Sequence, residues 1–153
     1  MRSSMWQDRE QRIAERIAFH GHPMVLALHP TTIEITTEEH LTKKGDCIVG
    51  VGAERGCAGL SVETKDALRR PGSRVSLRLV VKDETFVVTG RGDPRLTLSH
   101  PRDVVIRKSD FVSNRTLALG AGVAAKDIPR SMVWALRDKN ATGYLEIGVN
   151  WVD

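Results

Sequence analysis

Aromatic residues are scarce in this chain: three Trp, one Tyr and three Phe make up 5% of its 153 residues. A stacking platform for single-stranded RNA, which needs aromatic faces interleaved with basic residues, is therefore not expected. Cysteine is rarer still. Cys47 and Cys57 are too few for a secreted disulfide framework, and both are expected as thiols, with a Cys47–Cys57 bridge expected only in a hyperthermophilic host. No apolar run approaches the ~20 residues needed to span a bilayer. The N-terminal MRSSMWQDREQRIAER mixes acids with bases and has no apolar centre, unlike a secretory signal or an acid-poor transit peptide. The expected location is the cytoplasm, with no membrane partner. HxxxH and CxxC spacings are also missing, and the Gly-rich GAERGCAG at 52–59 fits neither a Walker nor a dinucleotide motif.

What is present is ordinary in bulk. At 41% hydrophobic and 27% charged the composition is that of a globular protein, and a chain of this length buries roughly 70% of its unfolded surface. The formal charge of +4 and a pI near 9.4 favour acidic partners. A nucleic-acid patch and a merely solvated basic surface both fit that excess.

Taken in order, residues 1–11 read as a flexible N-terminus with Trp6 the one side chain expected to dock, and 12–153 as a single α+β domain. Strands are expected from Arg12 to His20, over the apolar run Met24 to Leu28, around Ile33 and Ile35, and from Asp46 to Val51. Ser61 caps a short helix from Val62 to Arg69, which ends before Pro71-Gly72. Val75, Leu77, Leu79 and Val81 alternate cleanly and form a hairpin with Thr85 to Gly90. Leu96 and Leu98 read as an edge strand, and Asp103 to Ile106 and Leu117 to Leu119 as further strands. Helical spacing runs from Ala124 to Asp138, with Pro129 either kinking it or lying in its first turn. A last strand carries Leu145, Ile147, Val149 and Trp151 on one face. The expected fold is a largely antiparallel sheet of six or more strands with two helices, without linker or repeat.

Three groups of side chains could carry chemistry. His22, His29, Asp46 and Cys47 are legal metal ligands, and His with Cys is also a base-and-nucleophile pair. An interval of seven puts the two histidines on opposite faces of a regular strand, so they meet only if Pro23 or a bulge turns one of them. Asp46 and Cys47 likewise point opposite ways; Cys47 shares a face with Val49 and Val51 and reads as a core thiol, leaving Asp46 as the pocket residue. The second group is Arg107, Lys108, Ser109 and Asp110 with Arg115 and Thr116. A strand end delivering Arg, Lys and hydroxyls suits phosphate or carboxylate oxygens, because guanidinium offers paired donors in a fixed fork. Its alternative is a solvated turn with an Arg107–Asp110 pair. The third group, Thr31, Thr32, Glu34 and Thr36, reads as the wet face of a strand or as the wall of a pocket opposite the Arg-Lys loop.

On the segments GHP…H-TT-E-T…GDCI-GV (Gly21 to Val51), VIRKSDF…RT (Val105 to Thr116) and AAKD (Ala124 to Asp127), the chain resembles an archaeal family known as domain of unknown function 371. The resemblance implies an archaeal cytoplasmic protein and brings no activity, cofactor or substrate with it. It places His22, His29, Thr31, Thr32, Glu34, Asp46, Cys47, Arg107, Lys108, Ser109, Asp110, Arg115 and Thr116 within the family pattern. His40, Cys57 and His100 fall outside it.

Three functions remain open on these residues. The first is binding of a phosphate-bearing ligand, nucleotide or RNA, by the Arg-Lys-Ser loop beside the His/Asp/Thr pocket. The second is a hydrolase or transferase with His22 or His29 as base, Asp46 beside it and a metal role unassigned. The third is a homo-oligomeric assembly module whose interface is the Thr face.

Overall fold

The clean alternation of Val75, Leu77, Leu79 and Val81 lies at the centre of the first of two sheets. In the computed structural model, which describes residues 10–42 and 44–152, that sheet has the order β1-β8-β4-β5 and is antiparallel throughout. Its strands are β1 (Glu10–His20), β4 (Arg74–Val81), β5 (Glu84–Arg91) and β8 (Thr142–Val152). The second sheet has the order β3-β2-β6-β7, from β2 (Thr32–Thr36), β3 (Ile48–Gly50), β6 (Asp103–Arg107) and β7 (Thr116–Ala118). Its central pair β2/β6 is antiparallel, and the short outer strands run parallel to their neighbours. Helices α1 (Val62–Leu68) and α2 (Arg130–Leu136) complete an α+β domain around one core. Ile33, Ile35, Val104 and Ile106 of the second sheet meet Leu79, Val88 and Leu145 of the first.

Local chemistry explains most boundaries. The Ser61 hydroxyl accepts the Thr64 amide at 3.1 Å and starts α1. Pro129 separates a single 3-10 turn (Ala125–Asp127) from α2, for which it is the N-cap; it has no amide proton to continue a helix through. Strand β1 begins at Glu10, so Glu10 and Gln11 belong to it; Trp6 lies outside the described residues.

Two expected strands do not form. Met24 to Leu28 is irregular backbone: Ala27 is left-handed at φ 51, the Val25 amide closes a turn on the His22 carbonyl, and Leu28 and His29 donate to the Asp46 carbonyl. The run is apolar because Val25 and Ala27 are buried, not because it pairs in a ladder. Leu96 and Leu98 behave identically. Leu98 also sits at φ 51, Leu96 closes on Asp93, and Ser99 and His100 donate to the Asn114 carbonyl.

That coincidence reveals a repeat, which corrects the expectation of a chain without one. Each half runs long strand, irregular loop, short strand, short parallel strand, 3-10 turn, helix, long strand: β1 to β4, then β5 to β8. Exchanging the halves reverses both sheet orders onto themselves. The halves interlock. His22 donates to Leu136 of α2 while Asp93 donates to Leu68 of α1, and Lys126 donates to the His29 carbonyl while Ala58 donates to that of His100. Gly52 and Gly120 occupy equivalent positions at φ 58 and 62.

Candidate functional site

Antiparallel pairing of β2 with β6 sets the site. The register places Thr32 opposite Arg107, Glu34 opposite Val105 and Thr36 opposite Asp103, all facing away from the core side chains Ile33, Ile35, Val104 and Ile106. The expectation of a wet Thr face is corrected here: Thr32, Glu34 and Thr36 are buried, at 8%, 5% and 2% exposure. Side chains from the connections after β2 and β6 cover them, with Cys47 and Arg115 against Glu34 and Ser113 and Phe111 against Arg107.

The middle of this face is an ionic cluster. Arg115 lies 3.1 Å from Asp103 and 3.6 Å from Glu34, and Asp103 also accepts the Thr36 hydroxyl at 2.8 Å. His100 stands 3.8 Å from Asp103, and its Nδ1 accepts the Arg102 and Asp103 amides. Burial, with Asp103 close by, holds the Glu34 carboxyl above its ordinary range against the pull of Arg115. Burial works against the charge on Arg115, but Glu34 and Asp103 outweigh it and the guanidinium is held more firmly protonated.

Cys47 belongs to this cluster, which corrects its reading as a core thiol. Its Sγ is 3.5 Å from Glu34 Oε1, and burial together with that carboxylate pushes the thiol up to about 12. A thiol so held is a poor nucleophile near neutral pH. Asp46 serves through its backbone, its carbonyl taking the Leu28 and His29 amides. Cys57 is a buried free thiol against the Arg115 carbonyl, so no Cys47–Cys57 bridge exists.

One end of the same face carries the Arg107 cluster. Arg107 donates from Nε to Thr116 at 2.9 Å and from Nη2 to Ser113 at 3.1 Å, and its guanidinium lies 5.0 Å from the Phe111 ring. It does not pair with Asp110; among the described residues no carboxylate lies within ion-pair distance of it. Burial first, and Arg115 second, make its charge less comfortable than usual. Phe111 is 60% exposed, an aromatic face turned to solvent beside that cation. The Lys108 amide donates to the Thr31 carbonyl, and Thr31 reaches both Thr32 and His29 through its hydroxyl. Ser109 caps the Phe111 amide.

The structure thus brings Thr31, Thr32, His29, Arg107, Lys108 and Thr116 to one end, and Glu34 and Arg115 to the middle. His22 is elsewhere, its amide on the end of α2 and its Nδ1 accepting the Met24 amide. His29 Nδ1 likewise accepts the Thr31 amide, so both imidazoles act as turn acceptors. Asp103, Ser113, His100 and Phe111 were not singled out from sequence, since only the β2/β6 pairing shows that they converge. Among the described residues no group of three or more His, Cys, Asp or Glu is placed to hold a metal, and no helix is long and apolar enough to cross a membrane.

Comparison with known proteins matches residues 17–150 to the family model described as Domain of unknown function (DUF371). An uncharacterized protein of Methanocaldococcus jannaschii, MJ0206, is 40% identical over 118 residues, which is 77% of this chain and 87% of that protein.

Proposed function

The chain belongs to the family of domain of unknown function 371, and from that premise we propose that the outer face of its β3-β2-β6-β7 sheet binds a phosphate-bearing ligand, a nucleotide or an RNA end, at Arg107. The observation that carries this is the half-buried Arg107 guanidinium whose hydrogen-bond partners, Thr116 and Ser113, are both neutral. Arg115 is balanced by two carboxylates; Arg107 is not. A desolvated cation without a counter-ion is costly, and a phosphate oxygen satisfies both its charge and its remaining donors. Lys108, Ser109 and Arg115 are the neighbouring donors, and the Thr31 hydroxyl and His29 border the same end. Phe111 offers an apolar face on which a base can stack beside the phosphate. Glu34 and Asp103 fix Arg115 in place, and so orient rather than contact the ligand.

The experiment is a thermal-shift panel of inorganic phosphate, adenosine and uridine nucleotides and short RNA on the intact protein. A ligand that binds only the folded state at a hundredfold excess over its Kd stabilises by ~2.7 kcal/mol, which for a domain of this size is several degrees. The expected result is a shift with a nucleotide that Arg107→Ala abolishes and Phe111→Ala weakens. Equal shifts in wild type and Arg107→Ala would overturn the reading.

A further inference from the structure

The first sheet carries a second feature, on its solvent face. Register aligns Arg12 of β1, Asn150 of β8, Arg74 of β4 and Arg91 of β5 in one row across all four strands. Two residues further along, the row is Ala14, Gly148, Ser76 and Thr89, all small. The next is Arg16, Glu146, Arg78 and Val87. With a rise of ~3.4 Å per residue, the two arginine rows stand about 14 Å apart with a low floor between them. Concavities of about 690 and 330 Å³ lie along that floor and share Ser76 and Asn150, so they form one continuous trough.

The charge in the trough is unbalanced. Of the five arginines, Arg78 has Glu146 at 3.5 Å, and Arg16 lies over the Tyr144 ring at 4.4 Å. Among the described residues Arg12, Arg74 and Arg91 have no carboxylate within ion-pair distance. Arg74 and Arg91 are direct cross-strand neighbours, an arrangement that destabilises a sheet. Nothing in the packing requires it, since the core lies on the other face.

The geometry points to a single-stranded nucleic acid lying in this trough, its phosphates taken by Arg12, Arg74 and Arg91 on one wall and Arg16 on the other. Small residues on the floor let a sugar-phosphate backbone approach the sheet, and the walls are too close together to seat a duplex. None of the residues lining the trough is aromatic, so the contacts are to phosphates and recognition is independent of sequence. This site is on the sheet opposite Arg107 and does not depend on the ligand proposed there.

The test is fluorescence anisotropy of a labelled uridine 12-mer, a thymidine 12-mer and a 12-base-pair duplex with the full chain at 50 and 200 mM salt. Four phosphate contacts predict a salt slope of about −3, and so a loss of affinity of roughly 50-fold between the two salt concentrations. In Arg74→Ala/Arg91→Ala the expected change is at least tenfold weaker binding at low salt and a slope shallower by about 1.4, with a melting temperature no lower than that of wild type. Lys139→Ala, in the exposed turn before β8, should bind as wild type. Any preference between the two single strands then says whether RNA or DNA is the better occupant. Absence of single-strand binding at 50 mM salt, tighter binding of the duplex, or wild-type affinity in the double variant would each overturn the proposal, as would an equal loss in Lys139→Ala.

Discussion

The Glu34 carboxylate and the Arg115 guanidinium stand 3.6 Å apart, the acid's side chain 6% exposed and the base's side chain 41%. Asp103 holds the same guanidinium more closely, at 3.1 Å, so Glu34 is buried with only a share of one cation. Folded Glu34 therefore takes up a proton more readily than it does in the unfolded chain. Between the ordinary carboxylate pKa of ~4.3 and the raised folded value, the native state binds more protons and stability falls as pH rises. Glu34→Gln should flatten that limb in thermal melts between pH 4 and 8, and raise the neutral-pH Tm by ~2–4 °C, the shift produced by ~1 kcal/mol. An unchanged slope would mean that Glu34 is not the titrating group.

Arg115→Ala removes the cation and leaves two carboxylates facing each other. The expected loss is ~1–3 kcal/mol at pH 7, nearer the lower figure because the guanidinium is partly solvated. The loss should shrink as pH falls and Glu34, whose carboxyl is held above its ordinary range, takes up a proton. Denaturant titrations of both single variants and of Arg115→Ala/Glu34→Gln measure the coupling, and the double variant should recover part of the stability.

Cys47 should alkylate slowly. With the thiol near 12, its thiolate fraction at pH 8 is on the order of one in ten thousand, against about a quarter for a free cysteine. Iodoacetamide labelling followed by mass spectrometry should show Cys47 accelerating about tenfold per pH unit from 8 to 10, and labelling faster in Glu34→Gln. Rapid labelling of wild-type Cys47 at pH 7.5 would contradict the Glu34 contact.

Ala27 and Leu98 share the same left-handed backbone but should respond oppositely to glycine. At Ala27, relief of strain offsets the lost methyl, and Ala27→Gly should lie within ~1 kcal/mol of wild type. Leu98 is fully buried, so Leu98→Gly should cost ~3 kcal/mol or more in denaturant titration.

Ser61→Ala deletes the hydroxyl that accepts the Thr64 amide, and should lower stability by ~1 kcal/mol, read as a Tm lower by ~2–4 °C.

Elements whose pattern is local were legible in the sequence. The β4/β5 hairpin and β8 announce themselves by alternation, and α1 by Ser61 at one end and Pro71-Gly72 at the other. Met24 to Leu28 and Leu96 to Leu98 resemble strands because burial alone makes a segment apolar, while a left-handed residue carries no signature in Ala or Leu. A signal for the repeat was nevertheless present. GHPMVLALHP at 21–30 and GDPRLTLSHP at 92–101 share Gly, Pro and His-Pro at the same spacing, and Ala67-Leu68-Arg69 recurs as Ala135-Leu136-Arg137. The site was half legible: Glu34, Arg107 and Arg115 stood out by type, but Asp103 and Cys47 join them only through strand register, which nothing local specifies.

The interlocked halves have the topology of a two-fold dimer whose subunits were joined through the Lys82-Asp83 turn. A true homodimer must present every residue near its axis twice. Once fused, the copies are free to diverge, and here the place of Cys47 is taken by Arg115 in the second half, that of Glu34 by Val105, and that of Thr36 by Arg107. An acid and a base can then meet across the pseudo-axis where two identical subunits would set like against like.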